Sequence, residues 1–215
     1  MDKRSLAPLT GALFVVLVIV AFIPLGGDTP DGDASAAKVV SFYSDHDTRN
    51  IIAAVLLVAS TVPLLYFVAL VRDRFSAGQP GHSALPGFAF GAGVATAAGF
   101  LVAAGIHFAL ADLADDIRPV AAQALNALDS DSPFAFSVPL VTLVFAASLM
   151  TLRTTLLPRW LGWVGIVLFI VSFTPVGFIA FGLSGIWIIV VSILFYVRGE
   201  TPAAQSAAAG PATPD

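Results

Sequence analysis

Charged residues are absent from five long, strongly apolar stretches of this chain. The stretches cover residues 5–27, 50–71, 75–111, 132–152 and 160–197. A helix needs about 20 mostly apolar residues to cross a bilayer, and a charge at its centre costs about 2.5–3.5 kcal/mol on insertion scales. The pattern therefore predicts helices that are surrounded by lipid.

The last stretch is too long for one crossing, and its middle holds the turn sequence Thr174-Pro175-Val176-Gly177. We divide it there into a helical hairpin. The predicted spans are residues 8–26, 50–71, 87–111, 133–152, 158–174 and 178–197. We therefore predict an all-α polytopic membrane protein, in which residues 1–198 form one domain with six transmembrane helices.

The first span has an alternative interpretation as a cleaved signal peptide. Lys3 and Arg4 precede it, and 34–36 has the small-x-small form of a cleavage site. Its apolar stretch is about 17 residues, long for a signal, and the candidate site follows only after three aspartates. We expect the span to be retained.

The loops differ in charge between the two sides of the predicted bundle. The side with the termini has seven basic residues and four acidic ones (Lys3, Arg4, Arg72, Arg74, Arg153, Arg159, Arg198; Asp2, Asp73, Glu200, Asp215). The other side has three basic residues and ten acidic ones (Lys38, Arg49, Arg118; Asp28, Asp31, Asp33, Asp45, Asp47, Asp112, Asp115, Asp116, Asp129, Asp131). Net charges of +3 and −7 account for the −4 of the chain. Because Lys and Arg mark the cytoplasmic side, we predict the cytoplasmic membrane with both termini inside.

Both longer loops on the acidic side are predicted to contain a short amphipathic helix. In the first loop, Ala36, Val39, Val40 and Tyr43 recur on one helical face, and Asp33 or Ser35 is placed to cap its start. In the second loop Pro119 suits a first helical turn. The apolar positions that follow it share one face (Val120, Ala121, Ala124, Leu125, Leu128).

We expect both helices to lie at the outer membrane surface, with apolar faces on lipid or on the bundle and acidic faces outward. The stretch 199–215 is rich in Ala and Pro, with few charges, and is predicted to be a disordered cytoplasmic tail.

The composition and the absence of known motifs exclude or disfavour several classes of function. The chain has no cysteine, which excludes disulfides and thiolate metal sites. Its few basic residues do not cluster, which argues against nucleic acid as a partner. No nucleotide-binding, EF-hand or serine-hydrolase motif occurs, and we expect no cofactor.

A metal site on the acidic side is one alternative. His107 lies in the outer half of the third predicted span, and His46, Asp112 and Asp116 lie in the loops on the same side. Imidazole and carboxylate groups are metal ligands. The favoured interpretation is a histidine near solvated acids, because no spacing places two ligands on one helix face.

A transporter is the other alternative. Pro63 should kink the second span beside Ser60 and Thr61, and with Tyr66 these residues are candidates to line a cavity. Two observations count against it. Kinks serve helix packing more often than transport, and no charged residue lies near the middle of any predicted span.

Small residues suggest close helix contacts in the third span. Gly87, Gly91 and Ala95 form one small-x3-small stripe, and Ala89 and Gly93 form another. Such stripes serve packing within a bundle or with a partner, so a homo-oligomer or another membrane protein is a candidate partner besides the lipid bilayer. Trp187 lies near the middle of the last span, where we expect a hydroxyl on a neighbouring helix to accept its indole N–H.

Two segments carry a resemblance to a known family. They are 33–46, DASAAKVVSFYSDH, which precedes a span, and 157–165, LPRWLGWVG, which opens the fifth. The chain resembles an uncharacterised family of small multi-pass membrane proteins, catalogued as a domain of unknown function and common in high-GC Gram-positive bacteria. The resemblance covers the chain to about Arg198 and implies a six-helix membrane fold. It implies no established activity and no catalytic residues.

Together these observations predict an integral membrane protein. They favour a structural or partner-interacting role over an enzymatic one. Its distinguishing feature is an acidic surface outside the cytoplasm. A small-molecule or ion transporter and an outer-face metal-binding enzyme or sensor are the alternatives.

Overall fold

The protein is all-helical in a computed structural model that describes residues 5–77 and 83–198. The helices are α1 (Thr10–Val20), α2 (Ala36–Asp45), α3 (Asp47–Ala77), α4 (Leu85–Leu113), α5 (Pro119–Asp131), α6 (Pro133–Arg153), α7 (Arg159–Val171) and α8 (Gly177–Arg198). A 3-10 turn, Ala7–Leu9, precedes α1, and a π-helical turn, Ala21–Leu25, follows it. The predicted all-α polytopic class is confirmed. The predicted tail, together with Lys3, Arg4 and His82, lies outside the described residues.

Within the described ranges, five helical segments are long and apolar enough to cross a membrane: Ala7–Leu25, Asp47–Ala77, Leu85–Leu113, Pro119–Arg153 and Gly177–Arg198. The predicted fifth span is the 13-residue helix α7. At 1.5 Å per residue it is about 20 Å long, less than the ~30 Å of a hydrocarbon core. It ends where it does because Pro175 lacks the N–H that would continue the helix.

The bundle is built around α3, α4 and α6. The most extensive helix contacts are those between α3 and α4 and between α4 and α6. Helix α1 packs on α3 and α8, and α7 packs mainly on α6. Glycines set the closest approaches, since a Cβ on Gly93 would lie 2.5 Å from the methyl carbons of Val68. The faces turned away from the core are apolar, as expected for contact with lipid: Val62 is 70% exposed and Val102 57% exposed.

The two predicted small-residue stripes of α4 have different surroundings. Ala89 and Gly93 are buried inside the bundle. Gly87, Gly91 and Ala95 are exposed, and a Cβ on Gly87 or Gly91 would meet no atom within 4 Å. Packing inside the chain therefore explains the first stripe but leaves the second unused.

The expected partner of Trp187 was wrong. Its indole N–H donates to the backbone carbonyl of Leu161 in α7, at 2.9 Å, and the side chain is 3% exposed. A helix carbonyl can accept this bond because it keeps a second lone pair after bonding within its own helix. Because every residue has a backbone carbonyl, the sequence does not indicate which carbonyl accepts this bond.

The short helices α2 and α5 pack on each other and on the ends of α3 and α4, and we call them, with the loops 26–35 and 114–118, the cap. The cap has its own hydrophobic core. Val39 and Tyr43 of α2 and Ala122 of α5 meet Leu110 and Ala111 at the end of α4, and all five are buried. The cap is therefore a folded part of the protein and not a pair of loose loops.

Candidate functional site

The cap presents a strongly acidic surface. Of the ten aspartates on this side of the bundle, nine are exposed (Asp28, Asp31, Asp33, Asp45, Asp47, Asp112, Asp115, Asp116, Asp131). The basic residues among them are the exposed Lys38 and Arg118 and the half-buried Arg49. The tenth aspartate, Asp129, has a side chain that is only 15% exposed.

Helix α2 forms as the sequence predicts. Ser35 is its N-cap, with its hydroxyl accepting a hydrogen bond from the N–H of Lys38 at 3.4 Å. Val39 and Tyr43 are fully buried one helical turn apart. The apolar face of α2 therefore rests on the protein.

Helix α5 exposes most of its predicted apolar face. Val120 and Leu128 of that face are 73% and 53% exposed, and Leu125 at its edge is half-buried against the core of the cap. Ala122 and Asn126, on the side opposite Val120, are buried. Hydrogen bonds hold this orientation: Asn126 Nδ2 donates to the carbonyls of Asp31 at 2.8 Å and Pro30 at 3.4 Å. Gln123 Nε2 donates to the carbonyl of Ala34 at 2.9 Å. The helix thus binds the first loop with polar side chains and exposes an apolar stripe.

His107 and Asp129 form a largely buried pair between α4 and α5. Nδ1 of His107 lies 2.8 Å from Oδ2 of Asp129, and the two side chains are 11% and 15% exposed. An ionised Asp129 accepts only, so Nδ1 carries the proton of this bond. Among the described residues, no hydrogen bond reaches the other ring nitrogen, Nε2, or the other carboxylate oxygen, Oδ1. Each partner therefore keeps an unused polar atom.

Tyr43 adjoins this pair. Its ring meets the ring of His107 edge-on, with centroids 6.0 Å apart. Burial, and then the negative charge of Asp129, raise the pKa of the Tyr43 phenol. Its hydroxyl is buried and has no hydrogen-bond partner in the part of the chain that the structure describes. The Tyr43 phenol therefore stays neutral beside the pair.

A cavity of about 180 Å³ opens beside His107 and Asp129. It lies where the π-helical turn after α1, the first loop, α3, α4 and the α5–α6 junction meet. Its polar lining consists of Thr29, His107, Asp129, Ser130 and Ser132. The rest of the lining comes from Ala21, Phe22, Gly26, Ala53, Leu57, Ala103 and Pro133. One polar wall and one apolar wall are typical of small-ligand sites.

The structure does not gather the residues predicted for a metal site. His107 contacts Asp129 instead of Asp112 or Asp116, which are exposed. His46 stacks on Phe42, with ring centroids 4.8 Å apart, and its Nδ1 lies 2.9 Å from the carbonyl of that residue. In residues 5–77 and 83–198, no three His, Asp or Glu side chains are grouped as a metal site.

The predicted cavity-lining residues of α3 lie elsewhere in the bundle. The hydroxyls of Ser60 and Thr61 donate to the carbonyls of Leu57 and Val58 within their own helix, both at 2.7 Å. Pro63 is buried and Tyr66 is 56% exposed. None of the four lines the cavity beside His107.

Sequence reasoning singled out His107 but missed Asp129 as its partner. Asn126 and Asp129 are three residues apart, on the side of α5 opposite the apolar stripe. That spacing equally describes a solvated polar face, so the sequence holds no separate signal for the pair.

Comparisons of this chain with models of known families, with curated proteins and with solved structures give no match.

Proposed function

We propose that this is a multi-pass protein of the cytoplasmic membrane, with both termini inside, that acts by binding and not by catalysis. The apolar helices make it a membrane protein. The distribution of Lys and Arg supports this orientation, because seven of the ten lie on the side with the termini and Lys and Arg are enriched on the cytoplasmic side of membrane proteins. The resemblance to the family of small membrane proteins supports a bacterial origin and remains part of the proposal.

The orientation can be tested with single cysteines, because the chain has none of its own. A membrane-impermeant maleimide should label Asp45→Cys in intact cells, and Arg153→Cys only after the cells are opened. Both positions are exposed, so differences in labelling report the side of the membrane. Lys38→Cys, also exposed, serves as a second marker for the cap. Labelling of Arg153→Cys alone in intact cells would show the inverse topology.

One observation supports binding: the cap and the adjoining ends of α3 and α4 form a surface that combines nine exposed carboxylates with an exposed apolar stripe. The stripe consists of Val120, Ala124 and Leu128, at i, i+4 and i+8 of α5. Isolated apolar residues are common on surfaces, but three on one helix face, among many carboxylates, fit a partner with an apolar patch bordered by Lys or Arg. We propose such a protein as the partner of the cap.

The proposal requires the stripe to face water when no partner is bound. A nitroxide at Leu128→Cys should therefore be relaxed more strongly by a water-soluble nickel complex than by oxygen, in lipid nanodiscs. A nitroxide at Val62→Cys, on the exposed face of α3, should show the opposite preference. Oxygen preference at both positions would mean that α5 lies on lipid, and would contradict a protein partner.

A homo-oligomer through the exposed stripe of Gly87, Gly91 and Ala95 stays a prediction. The open space around the two glycines is compatible with close approach of a second helix.

A further inference from the structure

We propose that the cavity beside His107 and Asp129 binds a small organic cation, a primary ammonium group on a short apolar body. The cavity lies between the cap and the bundle, whereas the proposed partner surface is the exposed side of the cap. The cavity and the partner surface are therefore separate sites and can be tested separately.

Charge is the first reason. When the imidazole of His107 is neutral and donates Nδ1–H to Asp129, the pair carries one negative charge. No Lys or Arg of the described residues pairs with Asp129. A carboxylate that is 15% exposed loses most of its hydration, and one neutral donor replaces only part of it. A cation in the adjoining cavity would supply the missing partner.

The available acceptors are the second reason. An ammonium group has three donors and no acceptor. Asp129 and His107 line the cavity, and their Oδ1 and Nε2 accept no hydrogen bond from a described residue. The hydroxyl of Ser130 already donates to the carbonyl of Asn126, at 2.9 Å, so its lone pairs remain free to accept. Three acceptors thus match three donors.

Size and lining are the third reason. At the ~30 Å³ that a water molecule occupies in the liquid, about 180 Å³ holds about six non-hydrogen atoms. Phe22, Leu57 and Ala103 supply an apolar wall. A bare divalent metal would leave this wall unused and would find only one histidine and one carboxylate. A short alkylammonium ion uses both walls.

The test is a series of ligands that share one chain and differ in the charge of the head group: n-butylammonium, n-butanol and butyrate. Binding to the full-length protein in lipid nanodiscs would be measured by calorimetry. We expect the amine to bind about tenfold more tightly than the alcohol or better, since its head group forms charge-assisted hydrogen bonds, and butyrate not to bind. Equal affinity for the amine and the alcohol in the unmodified protein would overturn the proposal.

Asp129→Asn keeps the shape of the side chain but removes its charge, and should lower the affinity for the amine to that for the alcohol. The matched control is Asp131→Asn, an exposed aspartate of the same helix, which should leave the preference unchanged. If both variants lose the preference equally, the acidic surface and not the cavity attracts the amine, and the proposal is wrong.

A second variant is needed in case Asp129→Asn does not fold. Ala103→Leu would fill the apolar wall while leaving His107 and Asp129 in place, and should abolish binding of both the amine and the alcohol. Retained binding of the amine by a folded Ala103→Leu variant would place the ligand elsewhere. None of these changes touches the stripe on α5, so its tests remain separate.

Discussion

Gly99→Ala is expected to lower the free energy of unfolding by about 3 kcal/mol or more. A Cβ at this position would lie 2.6 Å from the carbonyl carbon of Ala135 and 2.9 Å from Cα of Phe136. Both atoms belong to the backbone of α6, which cannot move aside as a flexible side chain can. The added methyl group must therefore separate α4 from α6.

Separation of these helices would also disturb the aromatic contacts beside the cap. Phe100 and Phe136 are buried and stacked, with centroids 4.2 Å apart and planes at 11°. At about 2–4 °C per kcal/mol, the midpoint of thermal unfolding in detergent should fall by about 6–12 °C.

The control for this change is Gly105→Ala in the same helix. A Cβ there would meet no atom within 4 Å, and alanine favours helix more than glycine does. The control should keep or slightly raise the unfolding midpoint. Equal midpoints for the two variants would show that α4 and α6 do not approach as closely as described.

Asn126→Ala is expected to release the first loop from α5. The side chain of Asn126 is buried and holds the carbonyls of Pro30 and Asp31, so alanine leaves two acceptors without their donor. An unsatisfied buried polar group costs about 1–3 kcal/mol. Opening of the loop should then become about tenfold more frequent.

Hydrogen exchange in nanodiscs can measure this opening. The N–H of Ala34 is protected by the carbonyl of Asp31, at 2.9 Å, and should exchange about tenfold faster in the variant. Ser130→Ala is the control, because the hydroxyl of Ser130 donates to the carbonyl of Asn126 in its own helix and, among the described residues, holds no part of the loop. Unchanged protection of Ala34 in Asn126→Ala would mean that other contacts hold the loop.

The membrane fold could be predicted from the sequence because lipid imposes a requirement that each helix meets alone. A span must be long, apolar and free of charge, and these are properties of consecutive residues. The predicted spans 50–71 and 87–111 accordingly lie inside α3 and α4. Helix α2 was also predictable, since its apolar face is the one that it buries.

The orientation of helix α5 could not be predicted from the sequence. Hydrophobic periodicity identifies the apolar face of a helix but not the surface that this face meets. In α5 the polar side chains of Asn126 and Gln123 find backbone carbonyls of the loop at Pro30, Asp31 and Ala34, about 90 residues away in sequence. Those bonds turn the apolar stripe outward.

The all-α membrane class follows from the amino-acid sequence alone, as do the positions of most helices along the chain. The sequence also predicts that acidic residues are in excess on one side of the bundle. Those features depend on composition and spacing along the chain. The packing of the helices, in contrast, brings Asp129 and none of the nine exposed aspartates beside His107, with a cavity next to the pair. A paired histidine and carboxylate and the cavity beside them arise where several helices and a loop meet, and no single segment encodes the relative placement of those elements.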